Sequence, residues 1–330
     1  MSAKHPPPRR RFLAHLGAAG LLATGPFGLA GCQRPEPLVR VAGIVWIGYA
    51  PLFLAREQSV YDATALRLVE YPSNSASLMA LATGQVEAAA LTLDECLLAR
   101  AGGLDVRVIL VFDDSRGADV VMVRPGITRL AGLKGKRIGV EETAAGALML
   151  AKLLEATGLA PAELVKVPLT ADRQTAAYRA GQVDAVVSFE PYATQLQALG
   201  AERLFDSRQL PGLIVDVLVA RADALAAAPR TFRQLVAGYF QALDLLQRQP
   251  EAAAQRMAPH LGLTPAEVLR ALQGIHLIDR AENRAWLAGP NPRLLPAAQT
   301  VSRAMRSARL LSAMPDLAQL ADGRFLPGAP

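Results

Sequence analysis

Aromatic side chains follow the first apolar run of this sequence and could form one wall of a binding pocket. Trp46 and Tyr49 come directly after the run 39–45, with Gly48 between them and Pro51 just beyond. A glycine followed by a helix-starting proline is typical of an exposed turn between a strand and a helix. Aromatic rings in such a turn can stack on a flat or hydrophobic ligand. The alternative is that both rings fill space in the core.

Hydroxyl, carboxylate and aromatic groups also follow the later apolar runs, at Ser73, Thr92, Asp94, Phe189 and Glu190. Because ligands bind beyond the carboxyl ends of parallel strands, these positions are candidates for ligand contact. Ser73 and Thr92 equally fit the capping position of the helix that follows, and both roles stay open. An acid such as Asp94 near a helix start is also favoured by the helix dipole.

The loops that could bind a ligand are rich in acids and poor in bases. Their carboxylates are Asp94, Glu95, Asp113, Asp119, Glu141, Glu142, Glu190 and Asp216, and Arg116 is the nearest base. A pocket for an oxyanion requires Arg, Lys or a dense set of N–H donors. An acid-lined pocket instead favours a cationic or hydrogen-bond-donating ligand, such as an amine or an aminopyrimidine.

Residues for covalent or metal chemistry are scarce. Two of the four histidines lie within the first 15 residues, which leaves His260 and His276, both far from any motif. Nucleophilic catalysis by a triad needs a base beside its nucleophile. Cys32 and Cys96 form no CxxC or Cys/His cluster, so we expect no metal, no cofactor and no catalytic residue. Cys96 fits a small buried residue of an apolar helix.

The formal net charge of +6 overstates how basic the body of the chain is. Four of the 35 Lys and Arg residues lie in the first 31 residues, which contain no acid. The remaining 31 nearly balance the 29 Asp and Glu residues. A near-neutral body without a basic stripe does not suit phosphate backbones, so we expect no nucleic-acid partner.

The first 31 residues are typical of an export signal. The basic segment RRRFL at 9–13 resembles a twin-arginine signal and precedes an apolar stretch at 14–29. That stretch is broken by glycines and is too short for a permanent membrane helix. It ends in LAGC at 29–32, which resembles a lipobox and predicts lipidation of Cys32, with residues 32–37 as a tether. Twin-arginine or general secretory export, and inner or outer membrane, stay open.

An internal repeat organises the body of the chain. Three pairs of segments recur in the same order at offsets of 93–97 residues: 69–72 with 165–168, 84–88 with 181–185, and 111–115 with 204–207. This spacing is too long for a solenoid and predicts two similar α/β lobes. The repeated GQV segments at 84–86 and 181–183 each follow a predicted helix, which their glycines would end.

Strand and helix patterns alternate in both repeats. Apolar runs predict strands at 39–45, 66–71, 86–90, 106–112, 120–123, 137–140, 164–167, 183–188, 203–205 and 216–220. Helical patterns between them lie at 51–58, 76–83, 93–101, 144–157, 173–179 and 192–199. This alternation predicts mostly parallel sheets covered on both faces. After the last strand we expect only helices, at 230–249, 251–260, 265–274 and 296–313.

Several motifs taken together resemble one family. They are WIGYAPL at 46–52, LAGLKGKRIGV at 130–140, FEP at 189–191 and the two GQV segments. In this order they resemble the nitrate/sulfonate/taurine-type substrate-binding proteins of ABC importers, including the thiamine-pyrimidine-precursor group, over roughly residues 39–287. The resemblance implies an α/β fold of the type II periplasmic-binding-protein class, with two doubly wound lobes joined by a two-segment hinge. It implies lobe one at 38–123 plus 217–330 and lobe two at 124–216.

The resemblance implies further site positions. Relatives that bind oxyanions use small hydroxyl-bearing residues in the loop that contains Thr143. Ser115, Asp119 and Asp216 lie near the expected hinge, where they contact the ligand or serve as turn or cap residues.

The resemblance also implies a function. We expect a lipid-anchored, monomeric solute-binding protein that faces the periplasm or the extracellular side, traps a small molecule by hinge closure and delivers it to an ABC permease. The alternative is a biosynthetic enzyme of the same fold, similar to pyrimidine-precursor synthases or menaquinone-pathway enzymes. The cysteine-rich motif of those synthases does not occur in this sequence, and an export signal favours uptake.

Overall fold

The computed structural model describes residues 35–142 and 144–328, and Glu36–Pro330 form one compact unit. The predicted export signal, the lipobox and Cys32 lie outside the described residues, as does Thr143. In the described part of the chain, no helix is both long and apolar enough to cross a bilayer. The α/β class is confirmed by two separate sheets with helices around them.

Six strands form the first sheet: β1 (Val39–Gly43), β2 (Leu66–Glu70), β3 (Ala88–Thr92), β4 (Val106–Ser115), β10 (Val215–Arg221) and β11 (Ile275–Leu277). Their order is β11-β4-β10-β3-β1-β2. Strands β1, β2 and β3 pair in parallel, whereas β10 is antiparallel to both of its neighbours, β3 and β4. Every residue of β3 is buried, as expected for a central strand covered on both faces.

The helices that follow these strands bury apolar faces in the first core. They are α1 (Ala50–Glu57), α2 (Asn74–Ala82), α3 (Leu93–Ala101), α7 (Ala222–Ala227), α8 (Pro229–Arg248), α9 (Pro250–Leu261), α10 (Pro265–Leu272), α11 (Arg280–Leu287) and α12 (Leu294–Ser307). In α8, Phe232, Leu235, Val236, Tyr239 and Leu243 recur at helical spacing and are at most 1% exposed. That spacing places them on one face, which packs on the core.

Five strands form the second sheet: β5 (Asp119–Val123), β6 (Arg137–Val140), β7 (Val165–Pro168), β8 (Ala185–Phe189) and β9 (Glu202–Asp206). Their order is β7-β6-β8-β5-β9, and β5 is antiparallel to both of its neighbours. Its helices are α4 (Ala144–Thr157), α5 (Ala171–Arg179) and α6 (Tyr192–Ala198). Short 3₁₀ helices lie at Ile47–Tyr49, Leu130–Leu133, Pro161–Glu163, Ser207–Gln209 and Gly323–Phe325.

The sequence repeat is also a structural repeat. Arg40 donates from its backbone N to Glu87 Oε2 at 2.7 Å and from Nη2 to Oε1 at 2.6 Å. Arg137 donates from the same two groups to Asp184, at 2.9 and 2.8 Å. The two ion pairs are equivalent. The first holds the segment before β3 against the start of β1, and the second holds the segment before β8 against the start of β6. Gly84 and Gly181, each three residues before the acid of its pair, have φ angles of 72° and 71°. This conformation favours glycine and ends the preceding helix.

One strand of each sheet comes from the other repeat. β5 follows β4 along the chain but pairs with β8 and β9, while β10 follows β9 but pairs with β3 and β4. The prediction that residues 120–123 belong to lobe one is therefore wrong. The lobe boundaries predicted at 123/124 and 216/217 lie instead between Ser115 and Asp119 and between Asp206 and Val215. A strand that is buried on both faces is apolar throughout, whichever sheet it belongs to. Its own sequence therefore does not specify its partner strands.

The prediction that only helices follow β10 is also wrong. Ile275–Leu277 form the short strand β11, which is antiparallel to the end of β4. Three residues are too few to show the alternation by which strands are recognised in a sequence.

Candidate functional site

The carboxyl ends of the parallel strands in the two sheets meet at a narrow cavity, here called the cleft. The space open to the centre of a water molecule is about 20 Å³, roughly enough for one water. Asn74 and Glu95 line it from the first sheet, Asp119 from the crossover to β5, and Glu141 from the second sheet. The other lining residues that the structure describes are Ala145, Gly146, Met149, Gln174, Val187, Ser188 and Phe189.

Two of the predicted aromatic residues are in contact beside the cleft, which Phe189 lines and Trp46 does not. Trp46 follows β1 and Phe189 ends β8, and their ring centroids are 5.6 Å apart in an edge-to-face arrangement. Phe189 also packs edge-to-face on Tyr192 at 5.5 Å. Trp46 Nε1 donates to Asp113 Oδ2 at 3.2 Å, which fixes the plane of the indole. Of these rings, Phe189 lines the cleft and could stack on a flat guest, while Trp46 and Tyr192 pack against it.

The backbone at Gly48 makes room for this arrangement. A Cβ atom at position 48 would lie 1.9 Å from Asp113 Oδ2 and 2.5 Å from Trp46 Nε1. The hydrogen bond between the indole and the carboxylate therefore occupies the space that any other residue would need.

A carboxyl pair lies next to Trp46. Asp113 and Asp216 are directly opposite on the antiparallel strands β4 and β10, and Tyr49 Oη donates to Asp216 Oδ1 at 2.5 Å. Burial raises the pKa of both aspartates well above the usual range, and the charge of Asp113 raises that of Asp216 further. Tyr49 is completely buried and does not line the cleft. Its hydroxyl group positions the carboxyl group of Asp216.

Three further acids lie at or next to the cleft. Burial raises the pKa of Asp119 to about 7 and that of Asp94 to about 6. Burial and the charge of Asp94 raise the pKa of Glu95 well above the usual range. Glu95 Oε2 accepts from the backbone N of Thr92 at 3.0 Å, so Thr92 orients Glu95 at the start of α3.

Several buried acceptors at the site have no partner. Asp94 Oδ2, Asp119 Oδ2, Asn74 Oδ1 and Gln174 Oε1 make no hydrogen bond. The amide of Gln174 is anchored because its Nε2 donates to the carbonyl of Val187 at 2.9 Å. Its oxygen is therefore the atom left for a guest. Unpaired buried acceptors are unfavourable by about 1–3 kcal/mol each, so together they indicate a place where a ligand completes the hydrogen bonds.

A hydrogen bond joins the two lobes at the cleft. Ser75, at the start of α2, donates from its backbone N to Glu141 Oε1 at 3.0 Å and also from its hydroxyl. Glu141 follows β6 in the second sheet, so this contact holds the two sides of the cleft together.

Of the ten predicted site residues that the structure describes, only Asp119 and Phe189 line the cleft. The other eight do not line it: Trp46, Tyr49, Ser73, Thr92, Asp94, Ser115, Glu190 and Asp216. Ser73 caps α2, because its hydroxyl accepts from the backbone N of Ala76 at 3.2 Å. Ser115 Oγ lies 2.8 Å from Ser207 Oγ, where the two crossovers meet. Glu190 Oε2 accepts from the backbone N of Thr194 at 3.1 Å, and burial raises its pKa.

Three uncharged polar residues that line the cleft, Asn74, Gln174 and Ser188, were not among the predicted site residues. Asn74 directly follows Ser73, and Ser188 is the last polar residue of an apolar strand, so attention to both strand ends could have found them. Gln174 lies inside α5, away from any strand end, and nothing in the local pattern distinguishes it from an exposed glutamine.

The described residues contain no group of three or more His, Cys, Asp and Glu side chains arranged to bind a metal ion. Cys96 is fully buried, and burial raises the pKa of its thiol to about 12. The thiol is therefore protonated and a poor nucleophile near neutral pH.

This arrangement, a cleft between two strand-exchanged lobes, is that of a type II periplasmic-binding-protein fold. Residues 46–253 match the sequence profile of the family described as NMT1/THI5 like, and the chain belongs to that family.

Individual relatives agree with this assignment. A protein of Escherichia coli (strain K12) named for binding aliphatic sulfonates is 27% identical over 271 residues, which span 78% of this chain and 82% of the relative. The taurine-binding periplasmic protein of the same organism is 24% identical over 241 residues, spanning 70% and 75%. The alkanesulfonate-binding protein SsuA from Xanthomonas axonopodis pv. citri, solved with bound MOPS, superposes with a TM-score of 0.73 at 23% identity. That superposition covers 86% of this chain and 98% of SsuA.

Proposed function

We propose that this protein is the solute-binding component of an ABC importer, and that it encloses a small molecule between its two lobes. The observation that carries the proposal is a cleft at the carboxyl ends of both sheets, lined from both lobes and bridged by Ser75 and Glu141. The names of the two sequence relatives support the same role. Because the present cavity has room for roughly one water, a larger guest enters only when the lobes separate.

The chemistry of the cleft favours a cationic guest or a hydrogen-bond-donating nitrogen heterocycle over a sulfonate. Among the lining residues that the structure describes there is no Lys, Arg or His, but there are three carboxyl groups, on Glu95, Asp119 and Glu141. An oxyanion would face these acids without a charged donor. An amine, an amidine or an aminopyrimidine would donate to them and could stack on Phe189, which lines the cleft.

The proposal includes a place in the cell. Lipidation at Cys32 would tether the protein to a membrane, where it would face the periplasm or the extracellular side and deliver its guest to the permease as a monomer. Replacing Cys32→Ser is expected to release the exported protein into the soluble fraction. Continued membrane attachment of that variant would exclude the lipid anchor.

The enzyme alternative has less support. The two sequence relatives carry names of binding proteins, and the one cysteine of the described chain is buried and protonated near neutral pH. No observation in the cleft requires turnover of the guest.

The proposal is tested with four probes that share a ring and differ in charge. Benzamidine and benzylamine are cationic, benzyl alcohol is neutral and benzenesulfonate is anionic. Differential scanning fluorimetry and native mass spectrometry are expected to detect one bound cation per chain and an unchanged guest after incubation. Binding restricted to benzenesulfonate would contradict the ligand class, and chemical conversion of the guest would contradict the binding role.

A matched pair of variants locates the site. Glu141→Gln removes a carboxylate that lines the cleft and is expected to weaken benzamidine binding. Glu142→Gln changes the exposed neighbouring residue and is expected to leave binding unchanged. Equal effects of the two variants would place the site elsewhere.

A further inference from the structure

Three buried carboxyl groups from two parts of the chain lie at the cleft: Glu95 and Asp119 line it, and Asp94 adjoins Glu95. Asp94 and Glu95 start α3, whereas Asp119 starts β5 after the first crossover. They are 1%, 1% and 6% exposed. Each of the three pKa values is raised mainly by burial, and the charge of Asp94 also raises those of Glu95 and Asp119, so the groups share one electrostatic environment.

Neutral acceptors line the same cleft from both lobes. Gln174 is 1% exposed, and its anchored amide leaves Oε1 without a partner. Asn74 is 8% exposed, and its Oδ1 is also unpaired. These amide oxygens are independent of the acids, and they present acceptors to the same space as Asp119 Oδ2. A guest that satisfies them must carry several hydrogen-bond donors, which the N–H groups of a cationic nitrogen head supply.

Among the described residues, the charged groups that act on the pKa values of the three acids are all acidic. Glu141 faces them from the end of β6, Asp113 and Asp216 from β4 and β10, and Tyr49 from the turn after β1. All of these groups are acidic or neutral. A buried carboxylate without a counter-charge is so unfavourable that it binds a proton instead.

We propose that Asp94, Glu95 and Asp119 form a subsite for a protonated amine, amidinium or guanidinium group, and that this cation enters in exchange for protons held by the empty subsite. The inference rests on the proposed binding function and specifies the charged end of the guest. In the empty protein the carboxyl protons substitute for the missing counter-charge. When the cation binds, carboxylate forms are favoured and protons leave to solvent.

The expected pH dependence follows from this exchange. The pKa values of Asp94 and Asp119 in the empty site, about 6 and about 7, place the exchange near neutral pH. For each proton released, affinity falls about tenfold per pH unit below the pKa of the empty site. The affinity for a cation should therefore rise between about pH 5 and about pH 8 and then level off.

The test is calorimetric titration of the whole protein with benzamidine, which remains cationic throughout this range. Titrations at equal pH in phosphate and in Tris, buffers of different ionisation enthalpy, report how many protons are released. We expect release of about one proton near pH 6 and at least tenfold tighter binding at pH 8 than at pH 5. Benzamidine binding without proton release or pH dependence would overturn the inference but leave the binding function intact. Failure of benzamidine and benzylamine to bind at all would overturn the cation subsite.

A ligand-free measurement provides a second readout. Infrared difference spectra of the empty protein at about pH 6 are expected to show the C=O band of a protonated carboxyl group, and Asp119→Asn should diminish it. Asp172→Asn, an exposed position at the start of α5, should leave the band unchanged. An identical band in the wild type and in Asp119→Asn would show that Asp119 holds no proton and would overturn the exchange at that residue.

Discussion

Replacing Gly48 with alanine tests whether the cleft depends on the contact between Trp46 and Asp113. The new Cβ would lie 1.9 Å from Asp113 Oδ2, so the carboxylate must move by about 1 Å or more to reach ordinary contact distance. Overpacking of this kind destabilises a protein by about 1–3 kcal/mol. Moving the carboxylate also leaves the buried indole N–H unpaired, which adds about 1–3 kcal/mol. We expect Gly48→Ala to lower the free energy of unfolding by about 2–5 kcal/mol.

Gly43→Ala is the matched control. Gly43 is buried at the end of β1, and a Cβ there would lie 3.7 Å from the nearest atom, Cζ of Phe53, an ordinary van der Waals contact. This control should be neutral or stabilise by up to about 1 kcal/mol. Urea unfolding followed by circular dichroism measures both variants, and near-ultraviolet dichroism reports the environment of Trp46. If Gly48→Ala is as stable as Gly43→Ala, the close approach described for Asp113 does not exist in solution.

Three further predictions concern charge. Folding raises the pKa of Asp119 from 3.8 to about 7, so the ligand-free protein should lose up to about 4 kcal/mol of stability from pH 4 to pH 7. Urea unfolding of Asp119→Asn should show correspondingly less loss over this range. If stability falls equally steeply with pH in both proteins, the pKa shift is contradicted. Glu141→Gln should weaken the bond to Ser75 and favour the open form, seen as a larger radius of gyration by small-angle X-ray scattering, whereas Glu142→Gln should not. The pKa of Asp184 is lowered to about 2, chiefly by Arg137. The ion pair therefore stabilises the folded protein above about pH 4, and this stabilisation is lost as the pH falls towards 2. Because solvent screens the pair, Asp184→Asn should lower the free energy of unfolding in urea by only about 1 kcal/mol at pH 7 and not at all near pH 2.

The sequence predicted the features that depend on local pattern. Equivalent apolar runs in the two repeats indicated equivalent strands, and the rule that ligands bind at strand ends selected Trp46 and Phe189. These residues are 143 positions apart, yet their rings touch. They meet because strand direction determines which ends of a parallel sheet come together, whatever the distance along the chain. Their contact with a ligand stays a prediction.

The features that the sequence did not predict depend on contacts between segments that are far apart along the chain. The buried run 119–123 has the same composition in either sheet, and only pairing with β8 and β9 assigns it to the second. Gln174 faces the cleft because of how α5 packs on β8, to which its side chain is bonded. Neither the exchange of a strand nor the direction of one side chain on a helix leaves a periodic signal.

The same fold can bind guests of opposite charge, because the sheets determine the position of the cleft while the residues at the strand ends determine its chemistry. A sulfonate in this cleft would place its oxygens against the unpaired amide acceptors of Asn74 and Gln174. Leaving even two such acceptors unpaired costs about 2–6 kcal/mol, a factor of roughly 30 to 10⁴ in affinity before any repulsion between charges is counted. An amidinium of similar size recovers these bonds. The names of the relatives are therefore a weaker guide to the guest than the charge of the cleft, and the preference for benzamidine over benzenesulfonate should be large rather than marginal.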